Sequence, residues 1–397
     1  MTLPSLRRLQ QYAMERLGLQ SYFLHCGDGR QHPRKPARDL IWAMVAGHGL
    51  RQTSFHAIES LVRSPAHGGL GLRSRFGDDT LGYFTERLDP APTRNALIAL
   101  LHRAKRNKAF DESPRIGLAL DGTTVGRCRH SGCERCRPFR NADKVIVGYR
   151  HHLAMITVVG TGLTLPFDVE PYGPGDSEYA AGQRLLRRVM PALGPRFADY
   201  LVVDAEFATS TILHTTASVG LPVVARLKDN LPELSAAVEK RFGTRRPNQV
   251  LTEGKDCVEL WDADDFDPWE TLDWETVRVV RYRQTKPDGS VVEAQWLTDL
   301  PTRQANSLAV YRMAKSRWEI ENEGFNDCKT RQGFRHICHH HVNSLLVTWL
   351  LTLLAVVVLR LYRLRYLHRG KHPVRSAIQL VSLFWLALAP SRSIDSS

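Results

Sequence analysis

The pattern of hydrophobic and polar positions divides the chain into regions of different character. Residues 1–110 contain short amphipathic stretches such as ARDLIWAMVAGHG and TSFHAIESLV, which predict helices separated by turns. From about residue 111 the pattern changes to apolar runs that predict three strands, a helix, a strand, a helix and a strand. This alternation is typical of a mixed sheet with helices packed on it.

The rest of the chain predicts a β-rich segment followed by helices. Residues 230–300 are rich in Trp, Asp, Glu and β-forming residues, and the turn sequence PDG separates two of their strand-like runs. Residues 301–397 return to a helical pattern and end in a basic tail. We therefore expect a sheet-based core formed by residues 111–229 and 301–397, interrupted by a β module at 230–300.

The segment from Val342 to Leu359 is uncharged for eighteen residues, which just reaches the length of a membrane-spanning helix. A buried scaffold helix explains it equally well. Asn343, Ser344, Thr348 and Thr352 are polar at spacings that would let one side of the helix contact protein. We expect the scaffold helix, and therefore no membrane partner.

The chain is strongly basic, with 54 Lys and Arg against 41 Asp and Glu and a formal net charge of +13. Residues 1–110 carry much of this excess, with 17 basic against 8 acidic residues. Such a charge predicts attraction to polyanions and makes nucleic acid the leading partner class. The alternative is a basic surface that is only solvated.

Two aspartates follow predicted buried strands. Asp121 stands in LALDGT and Asp204 in LVVDAEF. Ligands of open α/β sheets bind at the carboxyl ends of the strands, where neighbouring strands can bring such side chains together. Two close carboxylates repel each other unless a cation lies between them, and oxygen ligands suit Mg²⁺ or Mn²⁺. Taken alone, each aspartate could equally be a turn cap.

A third carboxylate comes from the stretch RWEIENEGFNDCK, where Arg317 and Glu321 are four residues apart and share one face of a helix. Trp318, Ile320 and Phe325 are available to seat that helix on the sheet. An ordinary salt bridge on a solvated helix is the alternative. Together with the two aspartates, however, this carboxylate predicts a two-metal site for phosphoryl transfer.

These three motifs resemble those of the DDE transposases of bacterial cut-and-paste insertion sequences. The resemblance covers roughly residues 114–365, and its best marker is the Arg-to-Glu spacing in RWxIE. It implies a mixed α/β fold with a ribonuclease-H-like catalytic core, a β insertion and an N-terminal helical DNA-binding domain. It also implies that Asp121, Asp204 and Glu321 form the acidic triad that holds Mg²⁺ or Mn²⁺.

The sequence departs from the family pattern at two positions. The family has Tyr three residues before the Arg and Lys seven residues after the Glu, but Ala314 and Cys328 stand there, with Tyr311 and Lys329 nearby. On a regular helix Lys329 would project about 80° away from Glu321. Either the helix is irregular, or Lys329 contacts the DNA backbone less directly.

Glu323, two residues further along, is the alternative candidate for the third acid. We prefer Glu321 because Arg317 and Trp318 fix the register of the motif. Arg317 and Lys329, the basic residues of the motif, are expected to contact DNA.

The stretch RCRHSGCERCR places Cys128, Cys133 and Cys136 close together, two of them with the CxxC spacing that can bind Zn²⁺. Free thiols in a basic loop are the alternative. A complete site needs a fourth ligand from elsewhere in the fold; the candidates are Cys328, Cys338 and the histidines between His336 and His341. The loop also carries Arg127, Arg129 and Arg137, which are well placed to hold phosphate with or without metal.

The function that these features predict is a transposase that binds terminal inverted repeats and target double-stranded DNA. Bringing two element ends together implies at least a homodimer. A non-catalytic DNA-binding descendant and a hydrolytic nuclease with the same core are the alternatives. Seven cysteines, most of them scattered, and no N-terminal leader pattern favour a reducing compartment, and we expect a cytoplasmic, nucleoid-associated protein.

DNA binding should weaken steeply as salt rises, because Lys and Arg contacts to phosphate release condensed counterions. Affinity for a DNA duplex should fall by about 10³-fold or more between 50 and 200 mM salt if six or more phosphates are contacted. Fluorescence anisotropy over a salt series measures the slope. A salt-independent affinity would contradict the assignment of the basic excess to phosphate binding.

Overall fold

The computed structural model describes residues 4–228, 230–367, 373–374 and 376–389. Parts of the predicted basic tail, including residues 390–397, lie outside these ranges. The described N-terminal residues, 4–110, are mainly helical, as their amphipathic pattern predicts. The helices are α1 (Leu6–Gln11), α2 (Gln20–Leu24), α3 (Ala37–Gly49), α4 (Phe55–Arg63), α5 (Asp78–Arg87) and α6 (Pro90–Arg106), with a π-helical turn at Tyr12–Arg16 and a 3₁₀ helix at Pro65–Leu70.

The middle of the chain forms the predicted succession of strands and helices, with one additional short strand, β2. Its elements are β1 (Gly117–Cys128), β2 (Arg137–Arg140), β3 (Ile146–Val159), β4 (Leu165–Tyr172), α7 (Glu178–Leu193), β5 (Tyr200–Val203), α8 (Ser210–Ser218) and β6 (Val223–Leu227). The strands lie in the order β4-β3-β1-β5-β6. β1, β3 and β4 pair antiparallel, whereas β1, β5 and β6 run parallel. The predicted mixed α/β fold is confirmed.

The β-rich segment extends the core sheet instead of forming a sheet of its own. It begins with a helix that the sequence pattern did not predict, α9 (Pro232–Gly243). Its strands are β7 (Gln249–Glu253), β8 (Asp256–Phe266), β9 (Val277–Thr285) and β10 (Val291–Thr298). Because β10 pairs antiparallel with β6, the described strands join into one sheet of ten. The predicted PDG turn connects β9 to β10.

The last part of the chain is helical but irregular. It contains α10 (Ser307–Lys315), two π-helical segments at Ile320–Phe325 and Asp327–Arg331, α11 (Val342–Tyr362), a further π-helical turn at Arg363–Leu367, and α12 (Ala377–Leu388). The two π-helical segments carry most of the RWEIENEGFNDCK motif. The helical irregularity that was one explanation for the position of Lys329 is therefore present.

The apolar helix α11 is the scaffold of the molecule. It packs against α3, α5 and α6 on the N-terminal side and against β4 of the sheet. By length and composition it could cross a membrane, but 83% of its most apolar window is buried inside the protein. An apolar helix of this kind needs protein on all sides, and the structure provides it, as the scaffold interpretation expects.

Polar side chains of α11 contact protein, as their spacing suggested. Ser344 and Thr85 share a hydrogen bond of 2.7 Å between their hydroxyl groups. The side-chain amide of Asn343 donates to the carbonyl oxygens of Thr85, Glu86 and Leu88, at the C-terminal end of α5. These bonds fix α11 against the N-terminal helices. The buried residues of those helices belong to the same hydrophobic core as those of the sheet.

Shortening a buried leucine of α11 should destabilise the whole chain. Leu350 is fully buried, and Leu350→Ala should cost about 2–5 kcal/mol of unfolding free energy through lost burial and the cavity left behind. Leu24→Ala is the matched control, because Leu24 is 62% exposed and its truncation should change stability by less than about 0.5 kcal/mol. Urea denaturation compares the two, and equal losses would contradict the scaffold role.

Candidate active site

The two aspartates lie side by side because of the register between two parallel strands. Leu120 of β1 pairs with Val203 of β5, so the next residues, Asp121 and Asp204, are neighbours at the point where β5 ends. The expectation that Asp121 ends its strand is wrong. β1 continues to Cys128 because its other partner, β3, continues beside it.

Asp121 occupies a buried position. Its side chain accepts a hydrogen bond from the Gly122 N–H at 2.8 Å, and Asp204 accepts one from the Phe207 N–H at 3.2 Å. The pKa of Asp121 is raised to about 7, chiefly by burial and then by the negative charge of Asp204. The Asp121 carboxylate is thus poorly solvated and is stabilised by any positive charge placed beside it.

Arg317 provides positive charge between the carboxylates. Its Nη1 lies 2.7 Å from Oε1 of Glu321 and 3.6 Å from Oδ2 of Asp121. The Arg317 guanidinium lowers the pKa of Asp121, whereas Glu321, whose side chain is 49% exposed, raises it. The structure therefore brings Asp121, Asp204 and Glu321 together, and Arg317 bridges two of them.

Neighbours of Arg317 attach its helix to the sheet. The hydroxyl groups of Ser316 and Tyr200, the first residue of β5, lie 2.9 Å apart. Glu319 accepts hydrogen bonds from the Gly160 N–H and the Thr164 hydroxyl, both in the turn between β3 and β4. These contacts hold the motif against β5, at whose end Asp204 lies, and against the turn that joins β3 to β4.

Not all the hydrophobic residues of the motif pack against the sheet. Ile320 and Phe325 are buried as expected, but Trp318 is 59% exposed. The expectation that Trp318 packs on the sheet is wrong, because Ser316 and Glu319 make the polar attachment and Ile320 fills the contact. Glu323 is exposed, and its charge acts on Glu319 and Arg363, not on Asp121. The geometry thus places Glu321, not Glu323, with the aspartates.

Lys329 lies close enough to Asp121 for their charges to interact. Burial lowers its pKa, the nearby charge of Arg335 lowers it further, and the charge of Asp121 raises it. Its ammonium group lies 5.3 Å from the centre of the Phe325 ring. Cys328, at the position where the family pattern has Lys, is fully buried.

Sequence reasoning missed a fourth carboxylate beside the triad. Glu178, the first residue of α7, accepts a hydrogen bond from the Tyr172 hydroxyl at 2.6 Å. A Cβ on Gly122 would lie 1.9 Å from its Oε1, so the glycine makes room for this carboxylate next to Asp121. Burial raises the pKa of Glu178, and the charges of Glu206 and Asp204 add to the rise. No sequence signal marked it, because an acid at a helix start is ordinary.

The predicted phosphate contacts divide into two groups. Arg137 lies 5.4 Å from the centre of the Tyr172 ring, and its charge lowers the pKa of Glu178. It therefore reaches the acidic edge of the sheet. Arg127, near the end of β1, stacks over Phe139 at 5.0 Å, and both it and Arg129, on the loop that follows β1, are exposed.

The cysteine loop forms a different cluster from the one expected. Ligand atoms of Cys133, Cys136, His151 and His340 all lie within 4.8 Å of one another. Cys128 is not part of this group, because β1 extends to it and only the loop beyond folds back. This corrects the predicted ligand set. Cys338, one of the candidates to complete the site, instead donates from its thiol to the Thr53 carbonyl oxygen.

Comparison with known proteins identifies the family of the chain. Residues 112–358 match the family described as Transposase DDE domain, and the chain therefore belongs to that family. None of the curated proteins matches the sequence. Among solved structures, the chain is similar to a piggyBac transposase in a synaptic complex with hairpin DNA, with 12% identity, a TM-score of 0.46, and coverage of 96% of this chain and 77% of that one.

The raised pKa of Asp121 should appear in the stability of the metal-free protein. The folded state holds this proton up to about pH 7, whereas the unfolded chain releases it near about pH 4, so stability should fall as pH rises between these values. Asp121→Asn does not lose stability in this way. Its free energy of unfolding at pH 8 should therefore exceed that of the wild type by roughly 2–4 kcal/mol.

Urea denaturation in EDTA at pH 5 and pH 8 tests this expectation. The control is Asp264→Asn, which removes an exposed carboxylate from β8. A stability difference between Asp121→Asn and the wild type that does not change with pH would contradict the burial of a charged group at this position.

Proposed function

We propose that this protein is a cut-and-paste DNA transposase that cleaves DNA at the ends of an insertion sequence and joins the freed 3′-hydroxyl groups to target DNA. The observation that carries the proposal is the convergence of Asp121, Asp204 and Glu321 at one edge of the sheet. Membership of the transposase family supports the general reaction class.

The three carboxylates fit a site for Mg²⁺ or Mn²⁺. Their donor atoms are all oxygens, which these hard cations prefer, and the Asp121 carboxylate is too poorly solvated to stand beside Asp204 without positive charge. We infer that Asp121, Asp204 and Glu321 hold the metal. When bound, a metal pair supplies activation of the attacking water or 3′-hydroxyl and charge stabilisation of the leaving oxygen.

The basic residues around the triad would position the DNA. Arg317 orients Glu321 through their 2.7 Å contact and offers further donors to a scissile phosphate. Lys329 lies on the same side and is suited to the neighbouring backbone. Arg127 at the end of β1, Arg129 in the loop that follows and Arg137 at the start of β2 would extend this positive surface and hold phosphates further from the cut.

The substrates that we propose are double-stranded DNA carrying the terminal inverted repeats, and a target duplex. A reaction that joins two ends to one target needs both ends in one complex, so we propose at least a homodimer. We place this activity in the cytoplasm, at the nucleoid.

Removing the charge of any triad member should abolish both nicking and joining, because one active site serves the two steps. Asp121→Asn, Asp204→Asn and Glu321→Gln keep the side-chain shape and should each lower activity by at least about 10³-fold with Mg²⁺ present. DNA binding should persist in all three, because only negative charge is lost. Incubation with labelled DNA that carries the flanking element ends, with and without Mg²⁺, measures both products.

The matched control is Glu323→Gln, which removes an exposed carboxylate from the same π-helical segment. It should retain nicking and joining. If the wild type binds the ends without any metal-dependent nick, the protein is a non-catalytic DNA-binding descendant. If it cuts without forming joined products, it is a nuclease of the same fold.

A further inference from the structure

The cluster of Cys133, Cys136, His151 and His340 has the geometry of a metal site of a second kind. The two sulfur atoms lie 3.7 Å apart, and Nε2 of His151 lies 3.2 Å from Sγ of Cys133 and 3.5 Å from Sγ of Cys136. A bonded pair of sulfurs would be about 2.05 Å apart, so the two cysteines do not form a disulfide.

The 3.7 Å and 3.5 Å distances match the edges of a zinc tetrahedron, and the 3.2 Å distance is somewhat shorter than such an edge. Zn–S bonds of about 2.3 Å and Zn–N bonds of about 2.0–2.1 Å, at the tetrahedral angle, separate two sulfurs by about 3.8 Å and a sulfur from a nitrogen by about 3.6 Å. Two thiolates and two imidazoles are a common ligand set of structural zinc. We propose that Cys133, Cys136, His151 and His340 bind one structural Zn²⁺, separate from the acidic site.

Hydrogen bonding alone does not explain why His151 is buried. Its ring is 1% exposed, and Nδ1 has no hydrogen-bond partner among the described residues. Nε2 faces only the two sulfur atoms, which are weak hydrogen-bonding partners. Buried polar groups are normally satisfied, and coordination would give Nε2 the strong partner that the two sulfur atoms alone do not provide.

The backbone around the cluster is shaped to bring the ligands together. The Cys136 N–H donates to the Cys133 carbonyl oxygen at 3.1 Å, which forms the tight turn that directs both thiols to one side. A Cβ on Gly132 would lie 2.4 Å from Cγ of His340, so only glycine lets the loop approach that ring. The His151 ring also packs edge-on against Trp349 of α11.

The site would join three segments that are distant in sequence. Cys133 and Cys136 come from the loop between β1 and β2, His151 comes from β3, and His340 comes from the segment between the catalytic motif and α11. Most of the loop between residues 127 and 135 is exposed and has little core of its own. Four protein ligands close the coordination shell, so the role is structural, and the ion would hold the Arg-bearing loop at a fixed position beside the active site.

Metal analysis of the full-length protein, purified without chelator and without a metal-affinity tag, tests the proposal. The wild type should contain about one zinc per chain, and Cys133→Ser and His340→Ala should lose it. Cys128→Ser is the matched control, because Cys128 is the last residue of β1 and lies outside the cluster, and it should keep its zinc. Asp121→Asn should also keep it, which separates this ion from metal at the acidic triad.

Two measurements on the wild type do not depend on how the variants fold. Replacing zinc with Co²⁺ should give the near-ultraviolet absorption of cobalt–thiolate bonds, and a mercurial that blocks thiols should release one zinc per chain. A wild type that binds no zinc when the ion is supplied would overturn the proposal. It would also be overturned if Cys128→Ser lost as much zinc as Cys133→Ser.

Discussion

The carboxylates of Asp121 and Asp204 lie side by side because β1 and β5 are parallel and in register up to the preceding residues. The repulsion between these two negative charges at a buried position has to be balanced by positive charge. Arg317 places a guanidinium between Asp121 and Glu321. A triad that repels itself in the free protein is suited to bind divalent cations, because metal binding relieves the repulsion that folding imposes.

The balance of charge at the site depends on the position of the irregular helical segment that carries Arg317 and Glu321. Ser316 and Glu319, on either side of Arg317, bind the sheet through the hydroxyl of Tyr200 and the turn at Gly160, so the charged face has little freedom. Further along, α11 fills the space between the N-terminal helices and β4. The helical region is therefore part of the scaffold that supports the active site, and a surface that recognises DNA ends on this region would be rigidly connected to the catalytic edge.

The acidic triad and the proposed zinc site differ in ligand chemistry, which would keep their metals apart. Oxygen donors favour hard ions such as Mg²⁺, whereas the sulfur and nitrogen donors of Cys133, Cys136, His151 and His340 favour zinc. In the sequence, Arg127 and Arg129 lie between Asp121 of the acidic triad and Cys133 of the proposed zinc site. A zinc ion that fixes this loop would let basic residues with few packing contacts act as an ordered surface for phosphate.

The sequence by itself determined most of the succession of strands and helices, though not β2 and α9, and it predicted the three acids that the structure brings together, because hydrophobic periodicity and the spacing of RWxIE are local properties. It did not determine which distant side chains meet. His151 and His340 are separated by almost half of the chain, and only the pairing of β3 with β1 and the packing of α11 bring them to Cys133 and Cys136. The exposure of Trp318 was likewise decided by tertiary contacts, because polar bonds from its neighbours attach the helix and leave the indole outside.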